Sequence, residues 1–466
     1  VKYSYYTSIM GGTKVVDIEG IAIPKLTSLY KDKSVSVKEV VQQYLERIME
    51  LDQGAKGLNS ILEVNPDALQ IAERLDTISV ENRTSKLFGV PILLKDSINT
   101  GDKMHTSAGS LALGNSKAKE DAEIVKILRD KGAVILGKTN MTEFANYMTK
   151  GMPAGYSSRG GQVISPYKKD ASPSGSSTGS AVAVAANLCT VSIGTDTSGS
   201  IISPSNKNGI VGFRPSIGSL SNKGIIPISF TLDMPGPMAR NVRDAAILFY
   251  ELRSKEYDID EKLSLLDINI GLDLQDFEQM SEEEIKKAKN ILQLIEKSGA
   301  KLSKIKLPST YNKVIETIKK YEFKYAINRY LSELPKEYPI RTLKDIIEFN
   351  IKHEAEALRY GQTYLIEAEE ETMGNLSENE YIEALKEREK VKGQLQEQLK
   401  DLHLCIHFKE KLVLQLTGFP ILSIPYGLYN DGMPYGLYLT GKTNSELLRY
   451  GRAIEELLSR EEIEKI

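Results

Sequence analysis

Histidine is scarce in this sequence, which has four of them in 466 residues. They are His105, His353, His403 and His407. Because metal sites and Ser-His-Asp triads both need histidines at suitable positions, this scarcity limits both kinds of chemistry. Cysteine is scarcer still. Cys189 and Cys405 lie in apolar stretches and are predicted to be buried thiols rather than members of a disulfide framework.

Long apolar runs and an excess of basic residues are also missing. No run of about 18 apolar residues occurs, so no membrane-spanning helix is predicted. The net charge is −3, and without a basic excess we expect no nucleic-acid partner. The segment Val1–Tyr5 has no apolar signal core, so we expect a cytoplasmic protein, while the missing initiator Met leaves a processed or truncated N-terminus open.

Helical and buried-strand patterns alternate along much of the chain, which predicts an α/β fold. Ser36 and Glu39 form a capping-box pattern before one predicted helix, and Asn65-Pro66 is typical of the start of another. Between 150 and 240, Gly, Ser, Thr and Pro dominate, as they do in segments that build sites. We predict one domain, 1–466. Its parts are N-terminal helices (1–80), a catalytic core (85–250), a helical insertion (252–400) and a return to the core sheet (405–466).

Three patterns suggest functions that their context does not support. Residues 132–139 fit a phosphate-binding loop, but the residues between the glycines form an apolar run typical of a strand. Residues 175–179 fit the nucleophile elbow G-x-S-x-G, but they follow a loop-like segment instead of a strand. His403, Cys405 and His407 would share one face of a strand, but no fourth zinc ligand is apparent.

Three other segments carry the candidate chemistry. In the segment 89–96, Lys95 follows a predicted buried strand that runs from Phe88 to Leu94, and because burying an ammonium is costly, its pKa is expected to fall. A simpler interpretation is that Lys95 emerges at the strand end and pairs with Asp96. The serine-rich segments 172–180 and 194–201 would each, taken alone, be interpreted as a polar loop.

Together these three segments resemble the amidase signature family. The resemblance is dense from Leu58 to Leu248 and returns at 418–420 and 434–437. It implies an amidase-signature fold, with a large central mixed sheet between layers of helices (α/β/α) and a helical insertion. It also implies that the chain is an amidase, a hydrolase of amide C–N bonds, which uses no cofactor and no metal.

The resemblance also assigns roles to particular residues. Ser200 would be the nucleophile, Ser176 would lie on a cis peptide bond and relay the proton, and Lys95 would be the neutral base. Ser177 would support the relay by hydrogen bonding. The backbone amides of the nucleophile loop would form the oxyanion hole. These are the amides of Thr197, Ser198, Gly199 and Ser200.

The sequence departs from the family at the nucleophile segment. Many members read Gly-Gly-Ser-Ile-Arg there, whereas this chain reads Ser198-Gly199-Ser200-Ile201-Ile202. The missing arginine weakens the resemblance to the A subunits of glutamyl-tRNA amidotransferases, and other segments look more like the peptide-amidase branch. We therefore expect a stand-alone amidase acting on a peptide amide or a small aliphatic or aryl amide. An amidotransferase subunit that releases ammonia from glutamine and a non-catalytic binding protein on this scaffold are the alternatives.

Overall fold

Strands and helices alternate in the computed structural model, which describes residues 16–54, 57–255, 264–308 and 311–458. The strands are β1 (Ile61–Val64), β2 (Pro91–Lys95), β3 (Val134–Thr139), β4 (Tyr156–Ser157), β5 (Gly161–Gln162), β6 (Val191–Asp196), β7 (Val211–Arg214), β8 (Met234–Ala239), β9 (Asn269–Asp273), β10 (Lys301–Ile305), β11 (Leu404–His407), β12 (Ile421–Leu428) and β13 (Pro434–Gly441). The α-helices are α1 (Ile23–Lys31), α2 (Val37–Leu51), α3 (Ala68–Asp76), α4 (Glu123–Asp130), α5 (Thr178–Ala185), α6 (Ile202–Lys207), α7 (Val242–Leu252), α8 (Glu282–Lys297), α9 (Asn312–Glu333), α10 (Leu343–Lys352), α11 (Glu354–Ala357), α12 (Thr363–Glu371), α13 (Asn379–Leu399), α14 (Leu412–Thr417) and α15 (Asn444–Leu457).

Eleven of the described strands form one mixed sheet, in the order β1-β3-β2-β6-β8-β7-β12-β13-β11-β9-β10. β2 runs parallel to β3 and β6, and β9 runs parallel to β10 and β11. The other neighbours in the sheet are antiparallel. The sheet confirms the predicted α/β class with a large mixed central sheet.

Apolar clusters cover both faces of this sheet. On β2, Ile92 and Leu94 belong to one cluster and Leu93 to the other, because successive side chains of a strand point to opposite faces. The first cluster includes residues of α4, α7 and α15, and the second includes residues of α2, α5 and α6. The predicted α/β/α layering is therefore confirmed.

Helix α2 begins as its sequence predicts. The Ser36 hydroxyl accepts a hydrogen bond from the Glu39 amide, and the Glu39 carboxylate accepts one from the Ser36 amide at 2.8 Å. This reciprocal pair satisfies two amides that a helix start would otherwise leave unpaired. Among the residues described above, no helix is both long enough and apolar enough to cross a membrane.

The predicted helical insertion over 252–400 is shorter than expected. Within 311–458, helices α9–α13 span Asn312–Leu399, but β9 and β10 lie before them and extend the main sheet. β10 is a partly exposed edge strand with Lys301, Ser303 and Lys304 among its five residues. Because these polar residues are also typical of a helix surface, composition alone did not distinguish the strand.

The predicted N-terminal helices over 1–80 also need a correction. Strand β1 lies among them and forms one edge of the sheet. The helix predicted to start at Asn65-Pro66 begins at Ala68 instead. The Asn65 side chain accepts a hydrogen bond from the Asp67 amide at 3.0 Å and donates one to the Ile135 carbonyl at 2.8 Å. Asn65 therefore forms a turn tied to β3 and does not cap the helix.

Candidate active site

Lys95 ends β2, and its side chain is fully buried. Its Nζ atom lies 2.8 Å from Ser176 Oγ and 3.0 Å from Ser177 Oγ. The same atom lies 2.9 Å from Thr195 Oγ1 and 3.1 Å from the Thr195 carbonyl oxygen. The structure therefore brings the candidate base into direct contact with both Ser176, the predicted relay, and Ser177, its predicted support.

The simpler interpretation of Lys95, an ion pair with Asp96, is wrong. The Asp96 carboxylate instead lies 3.8 Å from Lys138 Nζ and 3.5 Å from Arg159, and it accepts a hydrogen bond from the Gly109 amide at 3.0 Å. The two residues follow one another at a strand end, so their side chains enter different environments.

Burial changes the protonation of Lys95. Desolvation lowers its pKa from 10.5 to about 7, and the negative charges of Asp196 and Asp233 offset only part of that effect. Near neutral pH a large fraction of Lys95 is therefore an uncharged amine. An uncharged amine can accept a proton, which the ammonium form cannot.

Ser176 lies two residues before α5, after a cis peptide bond between Gly175 and Ser176. This is the geometry that the family resemblance implies for this residue. The Ser176 carbonyl accepts a hydrogen bond from the Thr142 amide at 3.1 Å, and the Ser176 side chain is fully buried. Its hydroxyl is thereby held against Lys95, out of contact with bulk solvent.

Ser177 ties the start of α5 to strand β6. Its hydroxyl donates to the Thr195 carbonyl at 3.0 Å and accepts from the Thr195 amide at 3.2 Å. A Cβ on Gly194 would lie 2.7 Å from Ser177 Oγ, so only glycine allows the serine to approach the strand this closely. The Ser177 hydroxyl both donates and accepts a hydrogen bond within the protein, and the residue is fully buried. Ser177 therefore does not occupy the exposed position that a nucleophile elbow requires.

Ser200 lies in the loop between β6 and α6. It is 8 % exposed, whereas Lys95, Ser176 and Ser177 are fully buried, so Ser200 is the one of these four that solvent reaches. Its carbonyl accepts a hydrogen bond from the Ser177 amide at 3.2 Å, which fixes the loop against α5. Within the described ranges its hydroxyl has no hydrogen-bond partner, so the contact between Ser200 and Ser176 stays a prediction.

Asp196 organises the nucleophile loop. Its carboxylate accepts hydrogen bonds from the amides of Gly199 at 3.0 Å and Ile201 at 2.8 Å. The Gly199 amide already donates to Asp196, so it is not free to serve as one of the predicted oxyanion donors. The amides of Thr197, Ser198 and Ser200 have no partner within the part of the chain that the structure describes, so they are available to a ligand.

Arg214 lies behind the same loop and is fully buried. Its Nε atom is 3.2 Å from Asp196 Oδ1, and its guanidinium also donates to the carbonyls of Leu232 at 3.0 Å and Phe419 at 3.2 Å. The loop is therefore anchored to β7 through a buried ion pair.

We expect Asp196→Ala to lower the free energy of unfolding by about 3–5 kcal/mol, because it leaves the buried Arg214 charge unpaired. Urea unfolding followed by circular dichroism measures this loss. Glu383→Ala is the matched control, since Glu383 pairs with Lys386 on an exposed face and should contribute less than about 1 kcal/mol. A loss for Asp196→Ala as small as the control's would contradict the anchoring role.

Sequence reasoning missed two acidic residues of the site, Asp196 and Asp233. Asp233 accepts a hydrogen bond from Thr197 Oγ1 at 2.6 Å and bonds from the amides of Ile228 and Ser229 at 2.8 and 2.9 Å. Desolvation raises the pKa of Asp233 to about 6. For Asp196 the sequence did contain a signal, because a carboxylate at the end of a buried strand indicates a candidate site residue.

The structure also shows where the phosphate-loop match and the possible zinc-binding residues lie. Residues 134–139 of the phosphate-loop match form strand β3. His407 is fully buried, and its Nδ1 lies 2.9 Å from the Lys409 carbonyl oxygen, while His403 Nδ1 accepts from the Asn269 amide at 3.0 Å. The described residues contain no group of three or more His, Cys, Asp or Glu side chains that could hold a metal ion. Cys189 and Cys405 are buried free thiols, as predicted.

Comparison with known proteins identifies the family. The amidase family model matches residues 39–448. An amidase family protein from Bacillus anthracis has a TM-score of 0.89 and 36% identity, covering 97% of this chain and 93% of that chain. The peptide amidase of Stenotrophomonas maltophilia has a TM-score of 0.86 and 34% identity, covering 94% and 97%.

Curated relatives fall into two groups. A probable amidase from Arabidopsis thaliana is 33% identical over 92% of this chain and 88% of its own length. The A subunit of the glutamyl-tRNA(Gln) amidotransferase from Nitrosococcus oceani is 31% identical over 91% of this chain and 94% of its own length.

The fold and the family together define a hydrolase that acts on amide bonds. The chain belongs to the amidase family, whose model covers most of its length.

Proposed function

We propose that this amidase cleaves the C–N bond of a peptide amide or a small aliphatic or aryl amide through an acyl-enzyme on Ser200. The observation that carries the proposal is the 2.8 Å contact between Ser176 Oγ and the Nζ atom of Lys95, a fully buried lysine whose pKa is lowered to about 7. A structural lysine would instead be expected to keep its charge and an acidic partner.

The hydrogen bonds around Lys95 Nζ suit an uncharged amine, which has two N–H donors and one lone pair. The Thr195 carbonyl can only accept. Ser177 gives its own proton to that carbonyl, so towards Lys95 it also accepts. These two acceptors use both N–H groups of an uncharged Lys95. Ser176 Oγ at 2.8 Å and Thr195 Oγ1 at 2.9 Å are both hydroxyls that can donate a hydrogen bond to its lone pair.

In the proposed reaction, Lys95 takes the Ser176 proton while Ser176 takes the Ser200 proton. The Ser200 oxygen then forms a bond to the amide carbon, and the carbonyl oxygen becomes an anion. The amides of Thr197, Ser198 and Ser200 would stabilise that anion, each by about 3 kcal/mol. The relay returns a proton to the nitrogen, the C–N bond breaks, and ammonia or an amine leaves. Water then hydrolyses the Ser200 ester by the same proton route.

Two observations favour a stand-alone amidase over an amidotransferase subunit. Ile202 stands where the amidotransferase pattern has arginine, and it is fully buried in the apolar cluster that contains α5 and α6. The likeness to the peptide amidase of Stenotrophomonas maltophilia supports the same choice. The contact between Lys95 and Ser176 argues against the third candidate, a non-catalytic binding protein, because such a protein would have no need of a buried uncharged base.

The proposal predicts that the purified chain alone releases ammonia from peptide amides, since the candidate machinery lies within one chain. A coupled glutamate dehydrogenase assay with N-acetylated amino-acid amides measures it, and the Ser200→Ala variant gives the background rate. Release from glutamine instead, and only after adding partner proteins and charged tRNA, would favour the amidotransferase function. No release under either condition from a folded protein would contradict both.

A further inference from the structure

Glu410 lies in the loop between β11 and α14, in contact with the loop that carries Ser200. A Cβ on Gly199 would lie 2.8 Å from Glu410 Oε2, so the carboxylate occupies the space beside the residue that precedes the nucleophile. Gly199 has a φ of +107°, a backbone conformation that also favours glycine. Glu410 can therefore occupy this position only because residue 199 has no side chain.

The residues that flank Glu410 hold it in place. The amides of Phe408 and Lys409 donate to Asp276 at 2.6 and 3.2 Å. On the other side, Lys411 forms ion pairs with Asp273 at 2.8 Å and Asp276 at 2.5 Å. The loop is fixed before and after Glu410, so its carboxylate does not need to be ordered when a ligand arrives.

Glu410 has an exposed side chain and, within the described ranges, no ion-pair partner. The neighbouring Asp196 differs, because Arg214 compensates its charge at 3.2 Å. Crowding by protein atoms and the Asp196 charge raise the pKa of Glu410, while Ser203 and Lys207 act in the opposite direction.

We propose that Glu410 selects substrates with a positively charged side chain on the residue whose carboxamide is cleaved. This inference rests on the proposed function, because it assumes that the scissile carboxamide is bound at Ser200. A guanidinium or ammonium near the nucleophile loop would meet a carboxylate that no described cation pairs with, and an acidic side chain would be repelled. Partly desolvated charges interact more strongly than charges in bulk water, so the preference should be measurable.

The test compares N-acetyl-argininamide with N-acetyl-citrullinamide, which has nearly the same shape and no charge. For the unmodified protein we expect kcat/KM to be about tenfold higher for the arginine amide, which corresponds to about 1.4 kcal/mol. Glu410→Gln should reduce this ratio to about one. A third substrate, N-acetyl-glutamic acid α-amide, carries a negative charge. Glu410→Lys should make it the best of the three substrates and the arginine amide the poorest.

The ratio within each variant is the readout, so a general loss of activity does not affect it. Glu73→Gln is the matched control, because Glu73 is an exposed glutamate on α3 that pairs with Lys38, and its ratio should equal that of the unmodified protein. An unchanged ratio in Glu410→Gln would overturn the inference and leave the proposed function intact. If the unmodified protein hydrolyses none of these amides, the peptide-amide part of the proposed function fails and the inference fails with it.

Discussion

Replacement of Ser200 by alanine should lower kcat for amide hydrolysis by about four to six orders of magnitude, because the reaction would lose its nucleophile. The fold should be retained, since the Ser200 hydroxyl makes no hydrogen bond to another described residue and its carbonyl still accepts from Ser177. Ammonia release measures the effect, and thermal unfolding checks that the variant is folded.

Ser205→Ala is the matched control for Ser200→Ala. Ser205 lies in α6, five residues further on, and its buried hydroxyl has no hydrogen-bond partner in the described structure. Its loss should leave turnover near that of the unmodified protein. If Ser200→Ala and Ser205→Ala lowered turnover to the same small extent, Ser200 would not be the nucleophile.

Replacement of Lys95 by methionine should lower kcat/KM by about two to four orders of magnitude, which is the usual contribution of a general base. The pH dependence should change as well. Only the uncharged amine accepts a proton, and its fraction grows as pH rises through the pKa of about 7. The activity of the unmodified protein should therefore rise with pH, reach its midpoint near 7 and level off above 8, and the variant should lack this step.

Lys138→Met controls for the removal of a buried lysine as such. Burial lowers the pKa of Lys138 to about 8, but its amine donates to Thr106 Oγ1 at 2.9 Å and to the His105 carbonyl at 3.1 Å instead of contacting the candidate site. This variant should lose stability and keep the midpoint near 7. Near-normal turnover in Lys95→Met, or a shifted midpoint in Lys138→Met alone, would contradict the role of Lys95.

The α/β class and some of the buried strands could be predicted, because burial imposes simple patterns on the sequence. Strand β3 is an example, since its continuous apolar run reveals a strand buried on both faces. Strand β10 was not predicted, because it lies at the edge of the sheet and is partly exposed. Its two lysines and its serine are also typical of the exposed face of a helix. An edge strand lacks the pattern that burial would otherwise produce.

The candidate site was predicted only in part, for a different reason. Lys95, Ser176 and Ser200 could be named because their segments match those of a known family. The spacing in the chain did not reveal that Asp196 uses the Gly199 amide, or that Glu410 lies against Gly199. Both contacts depend on backbone conformation in the nucleophile loop, and no periodic pattern reports on that conformation.

The most direct test of the account is the position of a covalent adduct formed with a fluorophosphonate, which reacts with activated serines. Trypsin would leave Ser176, Ser177 and Ser200 on the same peptide, because no Lys or Arg occurs between Lys169 and Lys207. Cleavage before Asp196 separates Ser200 from the other two, and mass spectrometry of the fragments then assigns the adduct. The account predicts one adduct, on Ser200, and none in Ser200→Ala. An adduct on Ser176, Ser177 or another serine, or no adduct on the folded protein, would contradict it.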